Sequence, residues 1–262
     1  MTIKEALKEG SLILKNPKEA SILLRHLLDY DQVGLLLNEQ KTFKEYDKYQ
    51  SLIQRRLKDE PMEYITEKVS FYSREFFIKK GALIPRPETE LLVDYAIKIK
   101  PKNIAEIGTG SGIISIMLAL LVNEIKITAT DISKDALEIA KINSKKFGVS
   151  DKITFVQTNY LDDIYNKFDM IISNPPYIAN DFELEKNLSY EPQNALFGGD
   201  AGDEMLKDIV NLWKKSNTTY LLCEMGYDQK ESMSRYLSGF DVEFYKDLAG
   251  LDRGFIAKKG CV

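Results

Sequence analysis

Apolar residues in the first sixty positions recur at intervals of three and four, the spacing of one helical face. Residues 3–7 and residues 20–28 show this spacing, and Asn16-Pro17 before the second segment supplies a suitable N-cap and a proline suited to the first helical position. A further helix is predicted over 43–57. The pattern indicates a helical bundle over 1–60. This bundle is either a packing appendage or a docking surface, and we expect that it docks a protein substrate.

Aromatic and β-branched residues dominate 64–84, which predicts a β-hairpin linker over 61–85. Strand and helix patterns then alternate through 86–262. Such alternation predicts an α/β fold with a doubly wound, mostly parallel seven-stranded sheet, closed by an antiparallel terminal pair. The predicted strands are 103–107, 125–130, 152–157, 168–173, 218–224, 241–246 and 254–258.

Composition narrows the function classes. The 262 residues carry a net charge of −4, whereas proteins that grip duplex nucleic acid usually show a basic footprint, so stable nucleic-acid binding is not expected. Cys223, Cys261 and His26 are too few for a disulfide framework or a zinc site, and no metal is expected. The N-terminus lacks an apolar signal region and no apolar run reaches ~20 residues, so a cytoplasmic protein is expected.

The first strand of the alternating region ends in a glycine-rich turn, Gly108-Thr109-Gly110-Ser111-Gly112. Glycines let the backbone turn tightly and approach a ligand closely, and the following helix presents free N–H groups. The spacing is neither the dinucleotide fingerprint nor a phosphate loop. Alone, this turn is weak evidence for a cofactor site.

Polar residues at neighbouring strand ends strengthen the cofactor prediction. Asp131 closes the second strand and could accept both ribose hydroxyls; the alternative is an N-cap role, shared with Ser133. Asn159 could pair with an adenine edge and Tyr160 could stack on it. Glu106 puts an acid where a ligand's amino group would lie. Adenine, ribose and an amino acid without a phosphate clamp favour S-adenosylmethionine over NAD.

Asn174-Pro175-Pro176-Tyr177 follows an apolar run that reads as a buried strand. Two prolines cannot continue a sheet ladder, so the strand stops and a stiff loop begins. The loop then offers one amide side chain, carbonyl oxygens without local competitors and an aromatic surface. The motif is typical of a site that holds a planar, polar nitrogen group, although alone it could be a plain turn.

Together these motifs resemble the class I methyltransferases that alkylate planar amide or amino nitrogens. They are more closely similar to the HemK/PrmC family, the glutamine N5-methyltransferases of peptide chain release factors. The resemblance covers residue 61 onward, whereas the helical N-terminal region agrees in size and type only. Further family motifs match at residues 83–90, 191–199 and 247–253.

The resemblance implies methyl transfer from S-adenosylmethionine to the glutamine of the GGQ motif in release factors. Asn174 and Pro175 would accept hydrogen bonds from the acceptor amide, Pro176 would stiffen the loop and Tyr177 would pack on the amide. Glu191 is a candidate contact for the substrate peptide. Arg86 and Glu88 are either loop organisers over the cofactor or an ordinary helix start.

Some positions depart from the family pattern: Glu67 replaces a usual glycine, Glu88 and Glu106 replace the commoner aspartate, and Asn159 and Tyr160 stand where aspartate and tryptophan are frequent. Because these positions keep their polar or aromatic character, the departures question the cofactor affinity and not the reaction. Alternative functions are methylation of a ribosomal-protein glutamine and, less favoured, adenine-N6 or guanine-N2 methylation of nucleic acid. A non-catalytic S-adenosylmethionine-binding module would be expected to have a damaged glycine turn or a damaged Asn174-Pro175-Pro176-Tyr177 motif, and both motifs are intact here.

Overall fold

The computed structural model describes residues 1–260, so Cys261 lies outside it. The chain forms two compact units. Met1–Lys68 and Glu185–Tyr190 make up the first, whereas Val69–Leu184 and the chain from Glu191 onward make up the second. The functional domain limits given above, 1–60, 61–85 and 86–262, stay predictions.

The first unit is helical, and three of its helices match the periodic segments. Asn16 caps the second helix, since its side-chain oxygen accepts from the N–H groups of Lys18 and Glu19. Two short helices were not predicted, and Pro61 precedes one of them instead of ending the bundle. The five helices are α1 (Ile3–Leu14), α2 (Pro17–Leu28), α3 (Gln32–Leu37), α4 (Tyr46–Leu57) and α5 (Met62–Thr66).

A β-hairpin follows, formed by β1 (Lys68–Phe71) and β2 (Arg74–Phe77). Its two turn residues, Tyr72 and Ser73, both have positive φ, 51° and 54°. These φ angles are typical of a tight hairpin turn, and residues other than glycine adopt this left-handed backbone at a cost in free energy. The Tyr72 N–H donates to Glu90 and its hydroxyl to Asp94, and these bonds from α6 (Thr89–Ile99) hold the turn.

The second unit is built on a seven-stranded sheet, as predicted. Two further short strands, β7 (Ile178–Ala179) and β8 (Phe197–Gly199), pair separately. The sheet strands are β3 (Asn103–Ile107), β4 (Lys126–Asp131), β5 (Ile153–Gln157), β6 (Met170–Ser173), β9 (Tyr220–Glu224), β10 (Asp241–Lys246) and β11 (Asp252–Lys258).

The strand order is β10-β11-β9-β6-β3-β4-β5, with β10 and β11 forming the predicted antiparallel pair. The chain runs from β3 outward to β4 and β5, then returns to the other side of β3 for β6 and β9. The strand order therefore reverses between β3 and β6. In open parallel sheets, ligands bind beside the carboxyl ends of the strands at such a switch point.

Helices alternate with these strands and bury the sheet core. The first helix after β3, α7, starts at Ile113, because Gly110 and Gly112 before it take left-handed φ angles. Trp213, fully buried, anchors the cluster of hydrophobic residues between the last helices and β9 and β11. Within residues 1–260, no helix has the length and apolar character needed to cross a membrane. The helices are α7 (Ile113–Leu121), α8 (Lys134–Lys146), α9 (Glu204–Lys215) and α10 (Lys230–Tyr236).

Candidate active site

A cleft of about 960 Å³, including the part open to solvent, lies at the carboxyl ends of β3, β4 and β6 in the second unit. The cleft lies at the switch point of the sheet. Its volume is that of a binding site for a ligand the size of a cofactor. Nine of the predicted site residues line it: Gly108, Thr109, Gly110, Ser111, Asp131, Asn159, Tyr160, Asn174 and Pro176. The other five are outside its lining: Glu106, Gly112, Pro175, Tyr177 and Glu191.

The three glycines of the turn after β3 have different surroundings. Gly108 and Gly110 have φ angles of +71° and +56°, and a Cβ added to either would meet nothing within 4 Å. Gly112 is also left-handed, but its added Cβ would lie 2.9 Å from Ala140 Cβ on α8. Gly108 and Gly110 therefore keep the cleft open for a close ligand, whereas Gly112 lets two helices pack.

Asp131, at the end of β4, fixes the glycine turn. Its Oδ2 accepts from the Gly110 N–H at 2.9 Å, and its Oδ1 accepts from the Ser133 N–H at 2.8 Å. Ser133 itself caps α8 by accepting from the Ala136 N–H, so the capping role weighed for Asp131 belongs to Ser133. Burial raises the pKa of Asp131, and the backbone donors oppose this rise. The carboxylate is thus oriented by backbone at the cleft wall.

Asn159 and Tyr160 follow β5 at the same edge. Asn159 is exposed and lines the cleft. Tyr160 has a φ of 47°, and its carbonyl accepts from the Thr130 hydroxyl at 2.7 Å. Its ring packs against the core beneath α9, and its hydroxyl donates to Asp208 at 3.2 Å. Tyr160 is therefore fixed at both ends, and its stacking on adenine stays a prediction.

Glu106 is fully buried at the end of β3. Its Oε2 accepts from the hydroxyls of Thr109 and Ser115, whereas its Oε1 has no hydrogen-bond partner. Burial raises its pKa to about 7. Buried polar atoms without partners are rare in folded proteins, so Oε1 is an acceptor that lacks a donor next to the glycine turn.

Asn174 leaves the end of β6 with its side chain half-buried in the cleft wall. Its Nδ2 donates to the Thr89 hydroxyl at 3.0 Å, while no described residue donates to its Oδ1. The Thr89 hydroxyl in turn donates to Glu224 Oε2 at 2.8 Å. The atom that Asn174 leaves for a ligand is thus an acceptor.

Backbone packing fixes the rest of this loop. Pro175 is buried, and a Cβ added to Gly198 would lie 2.4 Å from the Pro176 carbonyl oxygen. A Cβ added to Gly202 would lie 2.6 Å from the Tyr177 carbonyl oxygen. Only glycine fits at these contacts. Gly198 and Gly202 thus allow the close packing of the Asn174 loop, although more than twenty residues separate them from it in the sequence.

Tyr177 points its hydroxyl toward Glu224 Oε1 at 3.4 Å, and its carbonyl accepts from Gln229. Burial raises the pKa of Tyr177, so the phenol is neutral. Its predicted packing on an acceptor amide stays untested.

Glu191 is buried, and both of its carboxylate oxygens have donors. Arg86 pairs with Oε1 at 2.6 Å, and the Ile84 N–H donates to Oε2 at 2.8 Å. The ion pair ties the two segments beside the cleft, and Arg86 itself lines the cleft. The role of Arg86 and Glu88 as loop organisers stays a prediction. The predicted contact of Glu191 with a substrate peptide stays a prediction.

Thr89 and Glu224 were missed by the sequence analysis. Each carried a signal: Thr89 belongs to the motif at 83–90, and Glu224 is an acid that closes an apolar strand. The sequence does not show that β9 lies beside β6. In that pairing Cys223 is the register partner of Ser173, so Glu224 and Asn174 each follow a member of the same residue pair.

Comparison with known families matches both parts of the chain. Residues 3–66 match the family described as PrmC N-terminal domain, and residues 87–193 match the methyltransferase small domain.

Three similar proteins that match most of this chain are also methyltransferases. A release factor glutamine methyltransferase of Dictyoglomus turgidum is 39% identical, over 90% of this chain and 88% of its own length. One of Clostridium acetobutylicum is 33% identical, over 99% of both chains. A bifunctional methyltransferase of Rickettsia bellii is 37% identical over 89% of this chain, which spans only 50% of that longer protein.

Among solved structures, a ribosomal protein L11 methylase from Lactobacillus delbrueckii subsp. bulgaricus superposes with a TM-score of 0.52. The match covers 70% of this chain and 83% of that one at 22% identity. Likeness at this identity shows the shared fold of the sheet and its helices.

Proposed function

The chain belongs to the family of release factor glutamine methyltransferases, and we propose that it transfers the methyl group of S-adenosylmethionine to a side-chain amide nitrogen of a release-factor glutamine. The observation that carries the proposal is the fixed amide of Asn174. Its Nδ2 is bound by Thr89, so Oδ1 is left for a ligand. A primary amide offers two N–H donors, and an acceptor oxygen complements them.

The residues present fit S-adenosylmethionine. Gly108 and Gly110 leave room for close approach, and Asp131 lies at the strand end where a ribose would be held. Asn159 and Tyr160 are assigned to the adenine. Glu106 is buried outside the cleft lining, and its Oε1, which lacks a donor next to the glycine turn, is assigned to the amino group. When bound, the cofactor supplies a methyl group already activated by its sulfonium.

The protein's own contribution is to position and polarise the acceptor. The lone pair of an amide nitrogen is delocalised into its carbonyl, which makes it a weak nucleophile. Asn174 Oδ1 and the Pro175 carbonyl are assigned to accept from the amide N–H groups. These bonds would orient the nitrogen and offset its growing positive charge. The proton then leaves to water, and among the described residues that line the cleft none is histidine, cysteine or lysine.

The partner is proposed to be a release factor, docked through the helical first unit, in the cytoplasm. The half-length match to the bifunctional relatives says nothing about this substrate. Methylation of a ribosomal-protein glutamine or of nucleic acid is the competing outcome.

The test is incubation with labelled S-adenosylmethionine and, separately, a release factor, ribosomal proteins and DNA. Label in the release factor alone is expected. A release factor whose GGQ glutamine is replaced by alanine serves as the control and should stay unlabelled. Label confined to ribosomal proteins or DNA would overturn the proposal.

A further inference from the structure

Glu224 is a buried carboxylate with no part in the mechanism above. It closes β9 with 1% of its surface exposed. Its Oε2 accepts from Thr89 and its Oε1 faces Tyr177. Both partners lead back to the Asn174 loop, one through a side chain and one through the loop itself. Burying a carboxylate is costly, so this arrangement calls for an explanation.

Hydrogen-bond direction supplies that explanation. A threonine hydroxyl has one proton and can donate only once. In its ionised form Glu224 can only accept, so it takes the Thr89 proton and leaves the Thr89 oxygen as an acceptor. Asn174 must then present its Nδ2 to Thr89, which turns Oδ1 the other way. Without the carboxylate, Thr89 could donate to Asn174 Oδ1 and occupy the atom that the acceptor amide needs.

The charges around Glu224 act on its ionisation in both directions. Burial, with a smaller contribution from nearby Glu88, raises the pKa of Glu224 to about 7. Arg253 and the hydroxyls of Thr89 and Tyr177 favour the ionised form and lower that pKa. Arg253 is held by Asp247, to which its Nε donates at 2.7 Å. Arg253, which Asp247 of the same motif holds in place, therefore favours the ionised form of Glu224.

We propose that Glu224 and Thr89 are positioning residues that polarise this hydrogen-bond chain, so that Asn174 presents its oxygen and not its NH₂ to the acceptor amide. The inference rests on the proposed function for its catalytic consequence. Its structural content, the orientation of the Asn174 amide, stands without any substrate.

Three variants test the catalytic consequence. Glu224→Gln keeps the shape but can donate to Thr89, and Thr89→Val keeps the shape without the hydroxyl. We expect kcat to fall by about 100-fold in both, the loss typical of a mispositioned reacting group, with KM for S-adenosylmethionine unchanged. Thr89→Ser retains the hydroxyl and should restore most of the activity.

Matched controls are Glu243→Gln and Thr219→Val, both exposed in the same unit, which should behave as wild type. Thermal melting establishes that each variant is folded. Wild-type kcat in folded Glu224→Gln or Thr89→Val would overturn the inference, as would a failure of Thr89→Ser to recover activity.

A second measurement separates this inference from the proposed function. The side-chain amide signals of Asn174, assigned by NMR in the free protein, should shift in Glu224→Gln and Thr89→Val and stay in place in the two controls. Unchanged signals would overturn the inference even if the enzyme methylates release factors. Shifted signals would support it even if release factors proved not to be the substrate.

Discussion

The turn after β3 and the loop after β6 line the same cleft but are held in different ways. The glycine turn is shaped by its own φ angles and by Asp131, 21 residues away from Gly110. The Asn174 loop is oriented by Thr89, 85 residues away, and beyond it by Glu224. A local device suffices to leave space for a cofactor, whereas orienting one amide takes partners from distant parts of the chain.

Replacing Asn174 should have the largest effect, and it should affect methyl transfer without affecting cofactor binding. Asn174→Ala removes the acceptor oxygen, so methyl transfer should fall by about 1,000-fold, the range seen when one stabilising hydrogen bond at a reaction centre is lost. Binding of S-adenosylmethionine, measured by calorimetry, should be unchanged because the glycine turn is untouched. Asn123→Ala, exposed and outside the cleft lining, is the control. Full activity of Asn174→Ala would rule out the role assigned to it.

Asp131→Ala should instead act on the affinity for the cofactor. It removes the proposed ribose contact and the acceptor of the Gly110 N–H. Hydrogen bonds to charged groups contribute about 1.5–3 kcal/mol, so the cofactor affinity should fall by about 10- to 100-fold. Calorimetry of this variant beside Asp151→Ala, an exposed control, measures the change. Equal affinities would reject the ribose contact.

Gly108→Ala should weaken cofactor binding by about tenfold, because a methyl group enters the cleft, and its left-handed backbone should separately lower stability by about 1–2 kcal/mol. Gly148 is a matched control, since it too has positive φ and open space for a Cβ but does not line the cleft. Both variants should lose similar stability, and only Gly108→Ala should lose affinity. Equal affinity in the two would mean that the turn does not contact the cofactor.

The last prediction concerns the dependence of stability on pH through Glu106. Burial raises its pKa from 4.5 to about 7, so the folded state binds the proton more tightly than the unfolded state. Its contribution to the free energy of unfolding therefore falls as the pH rises from about 4.5 to about 7. Glu106→Gln cannot ionise, so its stability relative to wild type should increase across that window.

Denaturant unfolding at several pH values measures this difference, and exposed Glu138→Gln should show none. A constant difference between Glu106→Gln and wild type would contradict the assignment of that raised pKa.

The same contrast explains what the sequence could predict. The glycine turn, Asp131 and the Asn174 motif are short runs at strand ends, so their positions at one edge follow from the alternation of strands and helices. The central parallel strands of the sheet were recognisable because buried parallel strands are continuous apolar runs. Short α3 and α5 hold too few periodic residues to be recognised.

The missing parts of the site depend on tertiary neighbours. Thr89 reaches Asn174 only because α6 starts beside β6 and β9, and Glu191 is tied to Arg86 across a separation of 105 residues. The close approach of Gly198 to Pro176 likewise depends on how β8 returns to β7. No local periodicity encodes such contacts.

The most direct test of the account is to locate the methyl group. After incubation of a release factor with S-adenosylmethionine and either the wild-type protein or Asn174→Ala, mass spectrometry of its peptides identifies the modified atom. The account predicts one methyl group on the side-chain nitrogen of the GGQ glutamine with the wild type and none with Asn174→Ala. A methyl group on another residue, or equal methylation by both proteins, would contradict it.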